Sequence, residues 1–250
     1  MINNLARKIL PLSLQRKIDG YLQSGAFWDI PDERHAIART LKKFSMQLKG
    51  KVLDIGAGDK PYKNFFAHLT YHSSDMQQSF FPDQQHDLVC SVYKISCPDK
   101  IYDACLLIQV MEHLEEPIKA LQEVNRILVD NGQVYISVPQ GAGDHFIPHH
   151  YFNFTRYGLE YVLKKAGFEI VHYERLDGIF TYVANRMMKL GHIVEEQYSK
   201  NILLRPGLKA LKFCCWFSGL IISKFNFIDR KRHYCVGHYC VARKMAIAKT

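Results

Sequence analysis

Short apolar runs alternate with helically spaced ones through the middle of the chain. From Lys51 the sequence reads "KVLDI", a helical stretch from Pro61 to Leu69, "YHSSD", "DLVCSV", "YDACLLI", a helix from about Glu116 to Val129, and "QVYISVP". The strand-like runs lack strict polar alternation, as strands covered on both faces do, and the intervening stretches serve as crossovers between parallel neighbours. The pattern predicts a doubly wound α/β domain.

On either side of this core the period is helical. Leu5, Ile9 and Leu12 line one side of 5–22, and His35, Ile37, Leu41, Phe44 and Leu48 recur through 32–48, so two N-terminal helices are expected. Pro31 opens the second, with Asp32 and Glu33 in its first turn, where acids complement the helix dipole. Beyond a loop from Gln140 to Phe154, "TRYGLEYVLKKAGF" predicts a helix capped by Thr155 and ended by Gly167. A strand "EIVHYERL", helices over 179–197 and 206–224, and a last strand "HYCVGHYCVARK" complete the pattern. The expected organisation is a helical cap over 1–49 and one domain over 50–250, in which 178–232 is a helical insertion, either a lid or a membrane contact. No internal repeat or low-complexity segment interrupts it.

Composition narrows the class. A chain of 250 residues that is 48% hydrophobic can bury a sizeable core. Its seven cysteines (Cys90, Cys97, Cys105, Cys214, Cys215, Cys235 and Cys240) include no C-x-x-C pair, which favours reduced thiols in a cytoplasmic protein over a disulfide scaffold or a zinc site. The apolar run near the start, Ile9 to Leu14, is broken by Pro11 and Ser13 and is too short for a signal peptide. Phe213 to Ser223 falls below the roughly 18 apolar residues of a spanning helix, so no bilayer crossing is expected. The formal charge of +9 divides into +5 over 1–50, −6 over 51–150 and +10 over 151–250. Basic flanks of this kind suit an anionic surface, a phosphorylated substrate or nucleic acid, or simply solvate helix faces.

The candidate chemistry begins at "DIGAGDK". A glycine turn between a strand and its crossover is where an open α/β sheet places its ligand, and Gly56 and Gly58 let a ligand approach bare backbone. A dinucleotide site wants a third glycine where Pro61 stands, and Asp54 and Asp59 would repel a pyrophosphate. Those carboxylates suit a cofactor carrying an ammonium and a sulfonium. Asp75, ending "YHSSD" seventeen residues after Gly58, can accept hydrogen bonds from a ribose diol.

With these residues the chain resembles the class I S-adenosylmethionine-dependent methyltransferases, and within them the methyltransferase type 11 group. "VLDIGAGDKPY" looks like the glycine-rich first motif and "YHSSD" like the ribose-binding second strand. "YDACLLIQVMEHLEEPIKALQEVNRILVDNGQVYISVP" is similar to the family's fourth strand, helix and fifth strand. The resemblance covers about residues 50–170. It implies a Rossmann-like seven-stranded sheet, mostly parallel, with "HYCVGHYCVARK" as the inserted antiparallel strand. It also implies S-adenosylmethionine as cofactor, with Asp54, Gly56 and Gly58 around the methionine portion, Asp75 at the ribose, Met76 at the adenine face and Gln109 near the methionine arm. Ser91 takes the place where the family often has an acid against the adenine amino group. Glu112 and His113 either pin the loop after the fourth strand or act chemically.

The loop "GAGDHFIPHHYFNFTRYGL" follows the fifth strand and lies over the same sheet edge. His145, His149 and His150 form no standard metal spacing, so no metal site is expected. His145 is the expected general base for a hydroxyl acceptor, and Pro148 is expected to displace His149 and His150. The resemblance extends here to a pattern like H-x-x-P-x-D-Y-x-R-x-T of sugar- and polysaccharide-associated members, met by His145, Pro148, Tyr151 and Thr155, with His150 and Asn153 standing where that pattern has its aspartate and arginine. The reading is a methyltransferase acting on an oxygen of a sugar, glycan or lipid-linked intermediate, as in polysaccharide biosynthesis, in the cytoplasm or at the inner face of the membrane. Contact with the membrane would come through 206–232, whose apolar middle lies between basic ends. The alternatives are an RNA methyltransferase, disfavoured because no RNA-binding module is recognisable, and a non-catalytic cofactor-binding protein of the same fold.

Overall fold

The protein is described here by a computed structural model that covers residues 33–76 and 85–245. The expected helix over 5–22 lies outside the described residues. Seven strands form one sheet: β1 (Lys51–Ile55), β2 (Thr70–Asp75), β3 (Leu88–Val89), β4 (Tyr102–Ile108), β5 (Leu128–Pro139), β6 (Phe168–Leu176) and β7 (Gly237–Lys244). Their order is β3-β2-β1-β4-β5-β7-β6. The first five pair in parallel, and β7 inserts antiparallel to both β5 and β6. The expected inserted antiparallel strand is therefore present, although it starts at Gly237 rather than His233.

Helices cover both faces, which explains the continuous apolar runs. On one side α1 (Glu33–Ser45) sets Ile37, Leu41 and Phe44 against Val52, Ala104, Leu106 and Tyr135. On the other, α2 (Pro117–Ile127) and α3 (Arg156–Lys165) bury Leu121, Val124, Leu159 and Leu163 against Leu53, Cys105, Leu107 and Ile136. Alternate residues of one strand thus feed two cores, each buried leucine or valine contributing about 1.5–3 kcal/mol. Thr155 caps α3 by accepting the Gly158 N–H at 3.1 Å, and Gly167, at φ +84°, ends it.

Two expectations give way to shorter elements. The helix expected from Pro61 to Leu69 is a single 3-10 turn, Lys63–Phe66. Lys60 sits at φ +54° just before Pro61, and β2 begins at Thr70, leaving room for one tight turn that buries Phe66 completely. The strand expected at "DLVCSV" keeps only Leu88 and Val89, because Ser91 turns back to bridge Lys94.

The C-terminal insertion is a helix pair, α4 (Ile179–Tyr198) and α5 (Arg205–Ser223). Their backbones approach closely where side chains vanish. A Cβ on Gly191 would lie 3.0 Å from Cys215 Cβ, and one on Gly219 would lie 3.0 Å from the Ala184 carbonyl oxygen. The opposite face of α5 is bare, with Leu211, Phe213, Phe217 and Ile221 exposed. Together with the 3-10 turn that follows it, α5 forms a helical run from Arg205 to Ile228 of 24 residues, with a mean hydropathy of 1.3 in a window only 11% buried. By length and composition this run could cross a membrane, and it is longer than the 11-residue apolar stretch from Phe213 to Ser223 because flanking turns extend the helix.

Candidate active site

The strand order reverses between β1 and β4, and there the carboxyl ends of the strands open a crevice. The turn after β1 lines it. Gly56 and Gly58 adopt φ +66° and +52°, and the Gly56 and Ala57 amides donate to the Ser74 carbonyl of β2. A Cβ on Gly56 would lie 2.7 Å from Val110 Cγ2, so the loop after β4 presses directly on this turn. Asp75 closes it from β2, accepting the Gly58 N–H at 2.9 Å on Oδ2 and the Met76 N–H at 2.7 Å on Oδ1. Met76 itself is exposed at the mouth.

Asp54 lies beneath the turn, buried, with Oδ2 accepting the Tyr71 hydroxyl at 2.7 Å. Burial raises its pKa to about 7, the Tyr71 hydrogen bond opposes that rise, and the charge of Asp75 adds to it. Such a carboxyl gains a partner when a cation arrives. The bare turn, the Asp75 acceptor and the Asp54 carboxyl therefore fit S-adenosylmethionine, which supplies a methyl group already activated by its sulfonium.

Two expected contacts sit differently. Gln109, at φ +55°, gives its main-chain N–H to the Ser137 carbonyl and its side-chain Nε2 to Ser137 Oγ at 3.0 Å, so its amide nitrogen is committed to β5. Ser91 lies on the turn after β3 and accepts the Tyr93 N–H, which makes it a turn former. Sequence reasoning missed Tyr71 and His86. The His86 side chain is 4% exposed, with Nε2 3.9 Å from Asp75 Oδ2, and it follows a stretch with no strand or helix period that could have signalled its place.

A second group assembles from the loops after β4 and β5. His113, on the 3-10 turn Met111–His113, packs against His145 and His150, and Glu112 of the same turn lies close to His113 and His145. Ring centroids are 4.8 Å apart for His113 and His145, and 4.3 Å for His145 and His150. His150 is therefore not displaced by Pro148 as expected. The Tyr151 and Phe152 amides both donate to the Glu112 carbonyl, which draws it in, while His149 lends only its carbonyl, 2.6 Å from His113 Nδ1. Glu112 is fully buried, and neither carboxylate oxygen has a hydrogen bond from another described residue. Burial pushes its pKa up to about 8, the residue's own main-chain N–H opposes that rise, and the charge of Glu33 adds to it. His113 is lowered chiefly by burial, with the neighbouring imidazoles adding to the effect.

Residues 30–173 match the family described as "Methyltransferase domain". No curated protein is significantly similar in sequence. Among solved structures, the Burkholderia thailandensis 1,6-didemethyltoxoflavin-N1-methyltransferase is 15% identical, with a TM-score of 0.52 over 93% of this chain and 88% of that one. The [4+2]-cyclase SpnF is 18% identical, with a TM-score of 0.51 over 83% and 81%. The Haemonchus contortus phosphoethanolamine N-methyltransferase 2 is 15% identical, with a TM-score of 0.52 over 86% of this chain and 53% of that longer one. At these identities the neighbours speak for the fold, whereas the family match spans more than half of the chain and includes the glycine turn, Asp75, Glu112 and His145. The chain belongs to the methyltransferase-domain family and is a class I S-adenosylmethionine-dependent methyltransferase.

Proposed function

We propose that the protein transfers the methyl group of S-adenosylmethionine to an oxygen of a sugar, glycan or lipid-linked acceptor. The observation that carries this reading is the group formed by Glu112, His113, His145 and His150 on the loops after β4 and β5, the first of which packs on the Gly56 turn through Val110. An amine attacks with its own lone pair, whereas a hydroxyl must lose its proton as the methyl arrives, so a proton-accepting group suits an oxygen acceptor. His145 Nδ1 lies 2.9 Å from the Gly143 carbonyl and donates to it, which leaves Nε2 as the basic nitrogen. The main work of the chain remains alignment of acceptor, methyl and sulfur and exclusion of water.

The exposed face of α5 supports a lipid-linked acceptor. Phe213, Phe217 and Ile221 stand one turn apart, and Arg205, Lys209, Arg230 and Lys231 flank them, an arrangement suited to the headgroup region on the cytoplasmic side of a membrane. The test is release of S-adenosylhomocysteine with sugar, lipid-linked glycan and RNA acceptors offered in parallel. Turnover with a sugar or lipid-linked acceptor is the expected result. Turnover with RNA alone, or cofactor binding with no turnover, overturns the reading in favour of an RNA methyltransferase or a non-catalytic relative.

A further inference from the structure

We infer that Glu112, His113 and His145 form a binding site for one divalent first-row transition-metal cation. One potential ligand atom from each of the three lies within 4.8 Å of the others. Ligands on a common cation at about 2.1 Å lie no more than ~4.2 Å apart, and ~3.4 Å in a tetrahedral set, so closure asks a shift of at least ~0.6 Å and up to ~1.4 Å. His145 belongs to a half-exposed loop that can supply it.

Three observations point to a ligand rather than to a packed core. A fully buried carboxylate poor in hydrogen bonds is costly, and the two oxygens of Glu112 have no hydrogen bond from another described residue, Oε1 facing His113 Nε2 at 3.9 Å. Both histidines are oriented alike: His113 Nδ1 faces the His149 carbonyl at 2.6 Å and His145 Nδ1 faces the Gly143 carbonyl at 2.9 Å. A ring that gives its Nδ1 proton to a carbonyl presents the Nε2 lone pair outward, which is how metal-binding histidines are commonly held. His150 packs against both rings with its side chain 4% exposed and neither nitrogen hydrogen-bonded among the described residues, so it stands as a neighbour able to support or complete the set. The spacing within the histidine loop gave no sign of this, because two of the three ligands come from the other loop.

Two imidazoles and one carboxylate favour manganese, iron, cobalt, nickel or zinc over magnesium or calcium, which prefer oxygen ligands throughout. The loop carrying Glu112 also carries Val110, which packs on the Gly56 turn, so the loop that holds two of the ligands touches the cradle. Resting on the hydroxyl-acceptor reading, its role is to hold the acceptor oxygen and lower the pKa of its hydroxyl. His145 then acts as a ligand instead of taking the proton itself.

The purified full chain, freed of metal by a chelator, is titrated with cobalt(II), read by its visible absorption and by calorimetry, with S-adenosylmethionine affinity measured alongside. One equivalent is expected to bind. Glu112→Gln and His145→Ala are each expected to weaken binding by at least about 10²-fold, since even outer partners of metal ligands cost 10–100-fold. His192→Ala, on the exposed side of α4, is expected to bind as the parent does. Absence of saturable binding in the parent overturns the site, as does binding that persists unchanged in both variants. Should Glu112→Gln fail to fold, His145→Ala in the half-exposed loop decides alone. Methyl transfer to a hydroxyl without any bound cation overturns the cation's part in the reaction and leaves the proposed function standing. Stoichiometric cation binding in a protein that methylates only amines or RNA does the reverse.

Discussion

Asp75 Oδ2 accepts the Gly58 N–H at 2.9 Å, so the acid that ends β2 braces the glycine turn that ends β1. One carboxylate thereby shapes the cradle and keeps spare lone pairs for a ribose diol. Asp75→Ala is expected to weaken S-adenosylmethionine binding by about 1.5–3 kcal/mol, the scale of hydrogen bonds to a charged group. Asp75→Asn, which can still offer an oxygen to Gly58, should lose less. Calorimetry on the folded variants checks this, and an unchanged affinity in Asp75→Ala removes the residue from the site.

Gly56 tests the backbone side of the same cradle. Its φ of +66° costs an L-residue roughly 1–2 kcal/mol, and a Cβ there would lie 2.7 Å from Val110 Cγ2. Gly56→Ala should lower both the melting temperature and cofactor affinity. Adding Val110→Ala removes the contact but not the backbone strain, so only part of the loss should return. Full recovery in the double variant would show that the left-handed conformation matters little.

Asp54 should make cofactor binding depend on pH. Its folded pKa of about 7 lies above the ordinary 3.8 because of burial, so the stability it lends the unliganded protein is complete below the unfolded value and is lost as pH rises through about 7. A cationic ligand favours the ionised form, hence affinity for S-adenosylmethionine should rise from pH 6 to pH 8 as a proton leaves. Asp54→Asn should flatten both the affinity profile and the decline in unliganded stability. A parent profile that is already flat over this range would assign Asp54 a purely structural part.

The sheet was legible in the sequence because strands covered on both faces are apolar at most successive positions rather than at every second one. "YDACLLI" and "QVYISVP" carry that signature, and the glycine turn was legible because few residues tolerate φ near +60°. What escaped was set by tertiary placement. Nothing local distinguishes the one-turn segment Lys63–Phe66 from the start of a helix, and nothing within the histidine loop reveals that Glu112 and His113 face it across two strand ends. His150 illustrates the same limit: Pro148 suggested a diversion, while the hydrogen bonds from Tyr151 and Phe152 to the Glu112 carbonyl bring that segment back.

His145 lends itself to a kinetic test once an acceptor is in hand. Its substitution by Ala should lower the methylation rate by about 10²–10⁴ whether it takes the acceptor's proton or holds the cation that acidifies it, with cofactor affinity nearly unchanged. The residual rate should climb with pH as the acceptor ionises unaided. Equal rates in variant and parent would exclude His145 from the reaction, and loss of cofactor binding would point to loop structure instead.

The face of α5 makes the last prediction. Phe213, which is 61% exposed, stacks on Phe217 with ring centroids 6.1 Å apart, and Ile221 continues the stripe. Such side chains gain about 1.5–3 kcal/mol each if fully withdrawn from water. Arg205 and Lys209 before the stripe and Arg230 and Lys231 after it are exposed and would meet anionic headgroups. The protein should therefore sediment with phosphatidylglycerol vesicles at low salt, less with neutral ones, and Trp216 emission should shift to the blue. Replacing Phe213 and Phe217 by Asp should abolish sedimentation without disturbing the α4 contact, which runs through Gly191, Cys215 and Gly219 on the other side. Neutralising the four basic residues should instead remove the preference for anionic lipid and the salt dependence. If the parent stays in solution with anionic vesicles at low salt, the helix pair is a lid whose bare face belongs to something other than a membrane.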